Sequence, residues 1–299
     1  MAIEIHSEVV DTPPIPSATV MVLREDSEEA GAGLQVLLMR RHADSGVLGG
    51  VHVFPGGKVD GGDQALAEAV FDRSAEACRQ ALNEPGLPDG MALGLYAAAL
   101  RETFEECGLV LGAPASVGVE AGAAVRAHMD AGAGFADALQ ALRWPWAASA
   151  LVPWSRWVTP RVPSMSRKRF DTRFFVAVAP AAQLAQHCER EATEAVWLTP
   201  RAALERAWAG EIDLAPPQIM SMAHLARLGS VAAALAWARG RLPPVIDPHP
   251  FDVDGERVIC YPGDPDHASP TPAWPGPTRL RFRQGRFEAP GGLAELLGD

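Results

Sequence analysis

The sequence predicts one α/β domain, a mixed sheet lying between helices. Three observations lead there. Ala18–Arg24 and Leu34–Arg41 are rich in Val, Leu and Met and read as neighbouring strands, with an acidic, glycine-bearing turn between them. Amphipathic helical patterns follow, and three more strand-like runs come after them, at Leu151–Val158, Arg173–Val178 and Glu194–Leu198. Between these groups, the run RETFEECGL at Arg101–Leu109 places charge on a helix at a spacing that ordinary surfaces rarely show.

Taken in order, residues 1–16 form an extended lead-in punctuated by Pro13, Pro14 and Pro16. After the first two strands, His52–Phe54 is a short strand running into the turn Pro55-Gly56-Gly57. Gln64–Asn83 reads as one amphipathic helix, with Leu66, Ala69, Val70, Ala77 and Leu82 on a stripe. Pro85, Gly86 and Pro88 break the pattern. Met91–Cys107 is then the helix that carries the carboxylates, and Gly108 stands where a C′ glycine belongs. Residues 112–150 predict a helical insertion around Val119–Met129 and Phe135–Leu142. Pro200–Trp208 is a helix with proline in its first turn, and Pro217 opens another with Ile219, Met222, Leu225 and Leu228 inward. The Pro/Gly-rich tail offers short strands at Arg257–Tyr261, Arg279–Arg283 and Arg286–Glu288.

Composition bounds the function. At 299 residues with 48% hydrophobic and 21% charged residues, the chain can bury a full core. Its formal net charge of −11 argues against nonspecific nucleic-acid binding, which needs a cationic surface. No apolar run is long enough to span a membrane. Cys78, Cys107, Cys188 and Cys260 show no zinc spacing, so a reduced compartment is expected.

The chemistry lies in Arg101, Glu102, Glu105, Glu106 and Gly108, the spacing R-E-x-x-E-E-x-G. On a helix the three glutamates share one face at i, i+3 and i+4 and repel one another, by roughly 0.2–0.5 kcal/mol per like-charged i,i+4 pair. Arg101 relieves Glu105 but cannot neutralise all three. A hard divalent cation with oxygen ligands can. The competing reading is a solvated acidic face, yet a match at these five positions arises by chance about once in several thousand chains of this length. The metal site is the better reading. Gly56 and Gly57 upstream let backbone approach a ligand closely.

With HVFPGGKVDGGD at 52–63 and RETFEECGL at 101–109, the chain resembles the Nudix hydrolases, whose pattern is G-x5-E-x7-R-E-U-x-E-E-x-G-U with U apolar. Gly57 fits the first glycine and Arg101–Leu109 fit the second half, apart from Thr103 at the first U. Asp63 stands where the family has Glu, and residues 64–100 give 37 positions where the pattern has 7, an insertion of 30. Added loop length is entropically cheap and need not disturb the helix. Asp63 is expected to support the loop, as an N-cap for the helix starting near Gln64. The long insertion resembles the coenzyme A diphosphatase branch, which is peroxisomal in animals. So do VLLMRRHADSGVLGGVHVFPGG (36–57), RFDTRFFVA (169–177), EAVWLTP (194–200), LAPPQ (214–218) and YPGD (261–264). Against that branch's stricter pattern, Gly46, His42 and Met39 replace an arginine, a serine or alanine, and a threonine.

The resemblance implies a Nudix α/β/α sandwich with helical insertions, in three parts: a lead-in at 1–16, a Nudix domain at 17–240 with insertions about 64–90 and 112–150, and a C-terminal extension at 241–299 packed on it. It implies Mg²⁺ or Mn²⁺ held by Glu102, Glu105, Glu106 and the Gly57 carbonyl, with Arg101 orienting a glutamate. Glu105, Glu191 and Glu194 stand as candidates for the general base. Gly56, Arg40, Arg41 and Arg169 are the expected substrate contacts, and Arg167–Lys168–Arg169 the densest local cationic cluster. The expected reaction is hydrolysis of the diphosphate of coenzyme A or an acyl-CoA to 3′,5′-ADP and a phosphopantetheine. The alternatives are an ADP-ribose or nucleotide-sugar diphosphatase and a non-catalytic nucleotide-binding module. The expected partner is a small nucleotide-type substrate, with neither nucleic acid nor membrane, and a homodimer is compatible. The chain ends Leu-Gly-Asp rather than in a peroxisomal tripeptide, so the cytoplasm is expected.

Overall fold

The computed structural model describes residues 5–25, 33–42, 48–114, 117–162, 165, 168–186 and 192–299. Most of the acidic turn after the first strand, together with Gly46, Arg167, Cys188 and Glu191, lies outside the described residues. In chain order the strands are β1 (Ile15–Glu25), β2 (Leu34–Arg41), β3 (His52–Val53), β4 (Gly56–Lys58), β5 (Val152–Val158), β6 (Phe170–Val178), β7 (Ala192–Leu198), β8 (Val245–Ile246), β9 (His249–Val253), β10 (Glu256–Cys260), β11 (Arg279–Arg283) and β12 (Arg286–Glu288). The α-helices are α1 (Gly61–Gln64), α2 (Ala75–Leu82), α3 (Asp89–Cys107), α4 (Glu120–Asp130), α5 (Phe135–Leu142), α6 (Pro200–Ala209), α7 (Pro216–Leu228), α8 (Val231–Arg239) and α9 (Gly292–Leu297).

Among the described residues, the main sheet has eight strands in the path β3-β2-β1-β6-β5-β8, with β4 paired to β1 and β7 to β2. β1 and β6 run parallel, as do β5 and β8, while β1–β2, β5–β6 and β2–β7 are antiparallel. The sheet is therefore mixed, as the sequence predicted. Side chains alternate faces along a strand, and this splits the interior in two. Val20, Val22, Leu37 and Met39 pack with α3 and the insertion helices. Met21, Leu23, Val36 and Leu38 pack with α6, α7, α8 and the second sheet. That second sheet, β12-β11-β10-β9, is antiparallel and built wholly from the tail. The result is an α/β/α sandwich with the tail against one face.

α3 is buried on all sides from Ala92 to Leu100, which makes it a core helix rather than an amphipathic one. Its first turn and its last two turns reach the surface, and the last two hold the carboxylates. It ends at Gly108, whose left-handed φ of 72° lets its N–H close on the Phe104 carbonyl.

One helix of the sequence reading is not formed. Gln64–Asn83 breaks after Gln64 and resumes as α2 at Ala75, with a single 3₁₀ turn at Glu68–Val70 between. The intervening backbone pairs with the insertion instead: Trp146 N–H donates to the Val70 carbonyl and Asp72 N–H to the Trp146 carbonyl. Ser74 restarts the helix by accepting from Ala77 N–H at 3.2 Å. Local periodicity lost here to backbone pairing with a residue far along the chain, Trp146. α8 and β9, by contrast, formed where the sequence reading placed nothing.

Candidate active site

The last two turns of α3 face the loop that leaves β3, and Arg101 is the hub of their contact. Its Nε and Nη2 donate to the two oxygens of Asp63 at 3.0 and 2.8 Å. Its Nη1 donates to Glu102 Oε1 at 2.8 Å and Glu105 Oε2 at 3.0 Å, and Nη2 also reaches the Lys58 carbonyl at 3.2 Å. Burial works to lower the Arg101 pKa, but the Asp63 hydrogen bonds and the charges of Glu102, Asp63 and Glu105 hold it well above its ordinary value. The guanidinium is fixed and always charged.

This corrects the reading of Asp63. The N-cap of α1 is Asp60, and Asp63 is the third helical residue, accepting from the Asp60 N–H at 2.9 Å. Only 4% exposed, its carboxylate clamps Arg101 as well as closing the first turn of α1 from the third helical position.

Two glutamates lie against the glycine turn, Glu102 while also held by Arg101. Glu106 is 4% exposed, and its Oε2 accepts from the Gly56 N–H at 2.9 Å. Glu102 lies on Gly57 so closely that a Cβ there would fall 2.4 Å from its Cδ and Oε1. Only glycine leaves that space. Arg41 approaches Glu106 Oε1 at 4.0 Å. Glu105 is set apart by exposure: its side chain is 35% exposed against 15% for Glu102 and 5% for Glu106.

Glu102, Glu106, Gly56, Gly57 and Arg41 line one cavity of about 500 Å³. Its remaining wall is largely apolar, from Trp157 of β5, Phe170 and Phe174 of β6, Pro216 and Pro217 at the start of α7, and Ile259 and Tyr261 of the tail. Lys58 and Lys168 add cations at its edge. A charged mouth thus opens onto an apolar chamber between the sheet, α7 and the tail.

Among the described residues no three His, Cys, Asp or Glu side chains converge as a ready metal cage. The donors nevertheless fit a hard cation. Glu102 and Glu106 offer carboxylate oxygens to the same cavity beside the Gly56–Gly57 backbone, in a cradle that a Cβ on Gly57 would fill. They also stand at the C-terminal end of α3, where the helix dipole disfavours anions and a cation would offset the strain.

The structure separates the other expected residues. Side-chain alternation along β2 sends Arg41 to the carboxylates and Arg40 to the opposite face, with a register shift between the two. Arg40, His52 and Glu194 form a row across β3, β2 and β7 in a second cavity of about 250 Å³, with Arg206, Glu211 and Asp213. There His52 Nε2 stands 3.9 Å from Glu194 Oε2, and burial lowers the His52 pKa against the pull of Glu194. Neither Arg40 nor Glu194 lines the carboxylate cavity. Arg169 does not either: its guanidinium donates to the Thr159 and Thr12 carbonyls at 3.0 and 3.3 Å, tying the lead-in to β5 and β6. Its neighbour Lys168 takes the place beside the cavity.

The sequence reading missed the apolar wall. LAPPQ and YPGD were visible as motifs, but nothing in their spacing said that Pro216, Pro217 and Tyr261 would meet over the same chamber.

The family model described as the NUDT19 Nudix domain matches residues 64–225, more than half of the chain. The chain belongs to the Nudix hydrolase family. Among curated relatives of this Nudix chain, the acyl-coenzyme A diphosphatase NUDT19 of Gallus gallus is 28% identical, with 66% of this chain and 62% of that protein covered. The human protein of the same name is 26% identical, over 70% of this chain and 65% of its own length. The chain thus spans somewhat under two thirds of the length of these two relatives. A solved Nudix hydrolase from Alicyclobacillus acidocaldarius is 26% identical and superposes with a TM-score of 0.57, covering 78% of this chain and 99% of that one. The fold is therefore shared across nearly the whole of that solved chain, and the matched family segment begins at residue 64, after the glycine turn and Asp63.

Proposed function

We propose that this chain is a divalent-metal-dependent diphosphatase acting on coenzyme A or acyl-CoA, releasing 3′,5′-ADP and a phosphopantetheine. The observation that carries the reading is the junction of Glu102 and Glu106 with a largely apolar chamber of about 500 Å³. A diphosphate held at the carboxylates leaves one substituent to extend over the apolar wall, which suits a long, weakly polar arm better than a second sugar. The named relatives, acyl-coenzyme A diphosphatases, agree with that choice.

The residues divide the work. Glu102 and Glu106 would hold Mg²⁺ or Mn²⁺, which, when bound, supplies charge to the phosphoryl oxygens and lowers the pKa of water. Arg101 fixes Glu102 and Glu105 in place and is itself fixed by Asp63. Glu105, the most accessible of the three glutamates, is the carboxylate we assign to taking the proton from the attacking water. Arg41 and Lys168, which line the cavity, would meet phosphate oxygens.

The test is hydrolysis of coenzyme A, acyl-CoAs, ADP-ribose and dinucleotides with Mg²⁺ and with Mn²⁺. Coenzyme A or an acyl-CoA should give the highest kcat/KM. Glu106→Gln should lower kcat by about two orders of magnitude or more, comparable with losing a major electrostatic contributor. Preference for ADP-ribose would replace the substrate reading. Tight nucleotide binding without turnover would mark a non-catalytic module.

A further inference from the structure

The floor of the chamber is a face of the sheet, and strand register lines up its polar groups. Ser17 of β1 pairs with Lys58 of β4 on one side and with Thr172 of β6 on the other, and Thr172 pairs in turn with Trp157 of β5. All four residues line the cavity that holds Glu102 and Glu106. Ser17 shares a strand face with Met21 and Leu23, and Thr172 with Phe174 and Val176, all of them packed on the α7 side of the sheet. The row therefore faces the chamber. Two of its members have no protein partner: among the described residues the Lys58 ammonium makes no ion pair and the Thr172 hydroxyl no hydrogen bond. Lys58 is exposed and Thr172 half-buried, so both are open to a ligand. Ser17, whose hydroxyl donates to the Ile15 carbonyl at 3.2 Å, is the spacer between them.

We infer that Lys58 and Thr172 form a subsite for a second phosphate on the substrate, a monoester set apart from the diphosphate. The inference rests on the coenzyme A reading, in which that group is the 3′-phosphate of the nucleoside half. An ammonium and a hydroxyl donor suit a dianion, and hydrogen bonds to a charged acceptor are shorter and stronger than those between neutral groups. No carboxylate stands in the row to oppose it. The position fits as well. Lys58 follows Gly57, on which Glu102 rests, and Thr172 lies two strands further on, at about 4.7–4.9 Å per strand. The subsite is thus offset along the sheet from the carboxylates, as a group separated from the diphosphate by a ribose must be. Lys168 adds a second cation at the edge of the same cavity, whereas Arg169 is tied to the Thr159 and Thr12 carbonyls. The nucleoside half then lies on the sheet floor, and the apolar wall of α7 and the tail is left to the other half.

The test compares two nucleotides that differ only in the second phosphate. 3′,5′-ADP and 5′-AMP are titrated by calorimetry into wild type, Lys58→Gln and Thr172→Val with Mg²⁺ present, and melting temperature checks folding. Valine keeps the branched shape that suits a strand, so it removes the hydroxyl alone. Wild type should bind 3′,5′-ADP about tenfold more tightly than 5′-AMP, the gain expected of a hydrogen bond to a charged group, and each substitution should remove most of that preference. In turnover, the ratio of kcat/KM for coenzyme A to that for its 3′-dephospho form should fall in step, chiefly through KM. A wild-type preference that both variants keep places the phosphate elsewhere; it overturns the subsite while the coenzyme A reading stands. Equal loss of affinity for both nucleotides assigns the two residues to the diphosphate end and likewise overturns it. Absence of any preference in the wild type also overturns the subsite, and the substrate screen then decides the rest separately. Coenzyme A still hydrolysed best keeps the diphosphatase reading, whereas ADP-ribose hydrolysed best ends both.

Discussion

Asp63→Asn tests the centre of the site without touching a proposed metal ligand. The carboxylate is 4% exposed and takes two hydrogen bonds from Arg101, at 3.0 and 2.8 Å, as well as one from the Asp60 N–H. An amide keeps the shape but puts an NH₂ against a guanidinium donor and removes the charge. Breaking a fully buried ion pair by removing one partner costs about 3–5 kcal/mol. Arg101 is itself 14% exposed and keeps Glu102, Glu105 and the Lys58 carbonyl, so about 2 kcal/mol is expected here. At roughly 2–4 °C per kcal/mol for a chain of this size, Tm should fall by about 4–8 °C. Activity should fall further than stability predicts, because Arg101 positions Glu102 and Glu105. A small misplacement of such groups costs about a hundredfold in rate. The assay is thermal melting beside steady-state hydrolysis of coenzyme A at saturating Mg²⁺. A variant that melts within about a degree of wild type and turns over within about twofold would refute the clamp.

The remaining outcomes follow from single contacts. Gly57→Ala should weaken Mn²⁺ binding, read by calorimetry, because a Cβ would meet the Glu102 carboxylate at 2.4 Å; unchanged affinity would separate Glu102 from the metal. Lys168→Ala should raise KM for coenzyme A more than for its 3′-dephospho form, since Lys168 lines the cavity, whereas Arg169→Ala should lower Tm with little change in that difference. Burial, with Arg241 and Arg227 nearby, pushes His224 down to about 3 from 6.5, so the folded protein keeps it neutral while the unfolded chain protonates it. Its contribution to stability is therefore complete above pH 6.5 and is lost as pH falls toward 3, at up to about 1.4 kcal/mol per pH unit. His224→Phe, set among Trp154, Trp237 and Trp274, should flatten that stretch of the stability–pH curve, and an unchanged slope would disprove the assignment.

The carboxylate helix was legible because its evidence is local. R-E-x-x-E-E-x-G specifies a face, a charge problem and a cap within one stretch of α3, and Gly108 closes that helix where the sequence placed its end. The strands β1, β2, β5, β6 and β7 were legible for the same reason: apolar, β-branched or aromatic runs bounded by breakers each report on their own few residues. Gln64–Asn83 shows where this fails. Its stripe was real, but the backbone of Val70 and Asp72 found Trp146, and no periodicity within the segment records a partner so far along the chain.

What the sequence carried by itself, then, was the pattern: three glutamates, an arginine and a glycine turn whose spacing places the chain in its family. What only the tertiary structure decided was which of those groups share a cavity. Strand alternation put Arg41 beside Glu106 and sent Arg40 to another pocket. Packing turned Asp63 from a helix cap into the clamp on Arg101, and folding of the tail brought Tyr261 over the chamber opposite α7. Each of these depends on contacts between segments far apart in the chain, and a spacing pattern carries information only about neighbours.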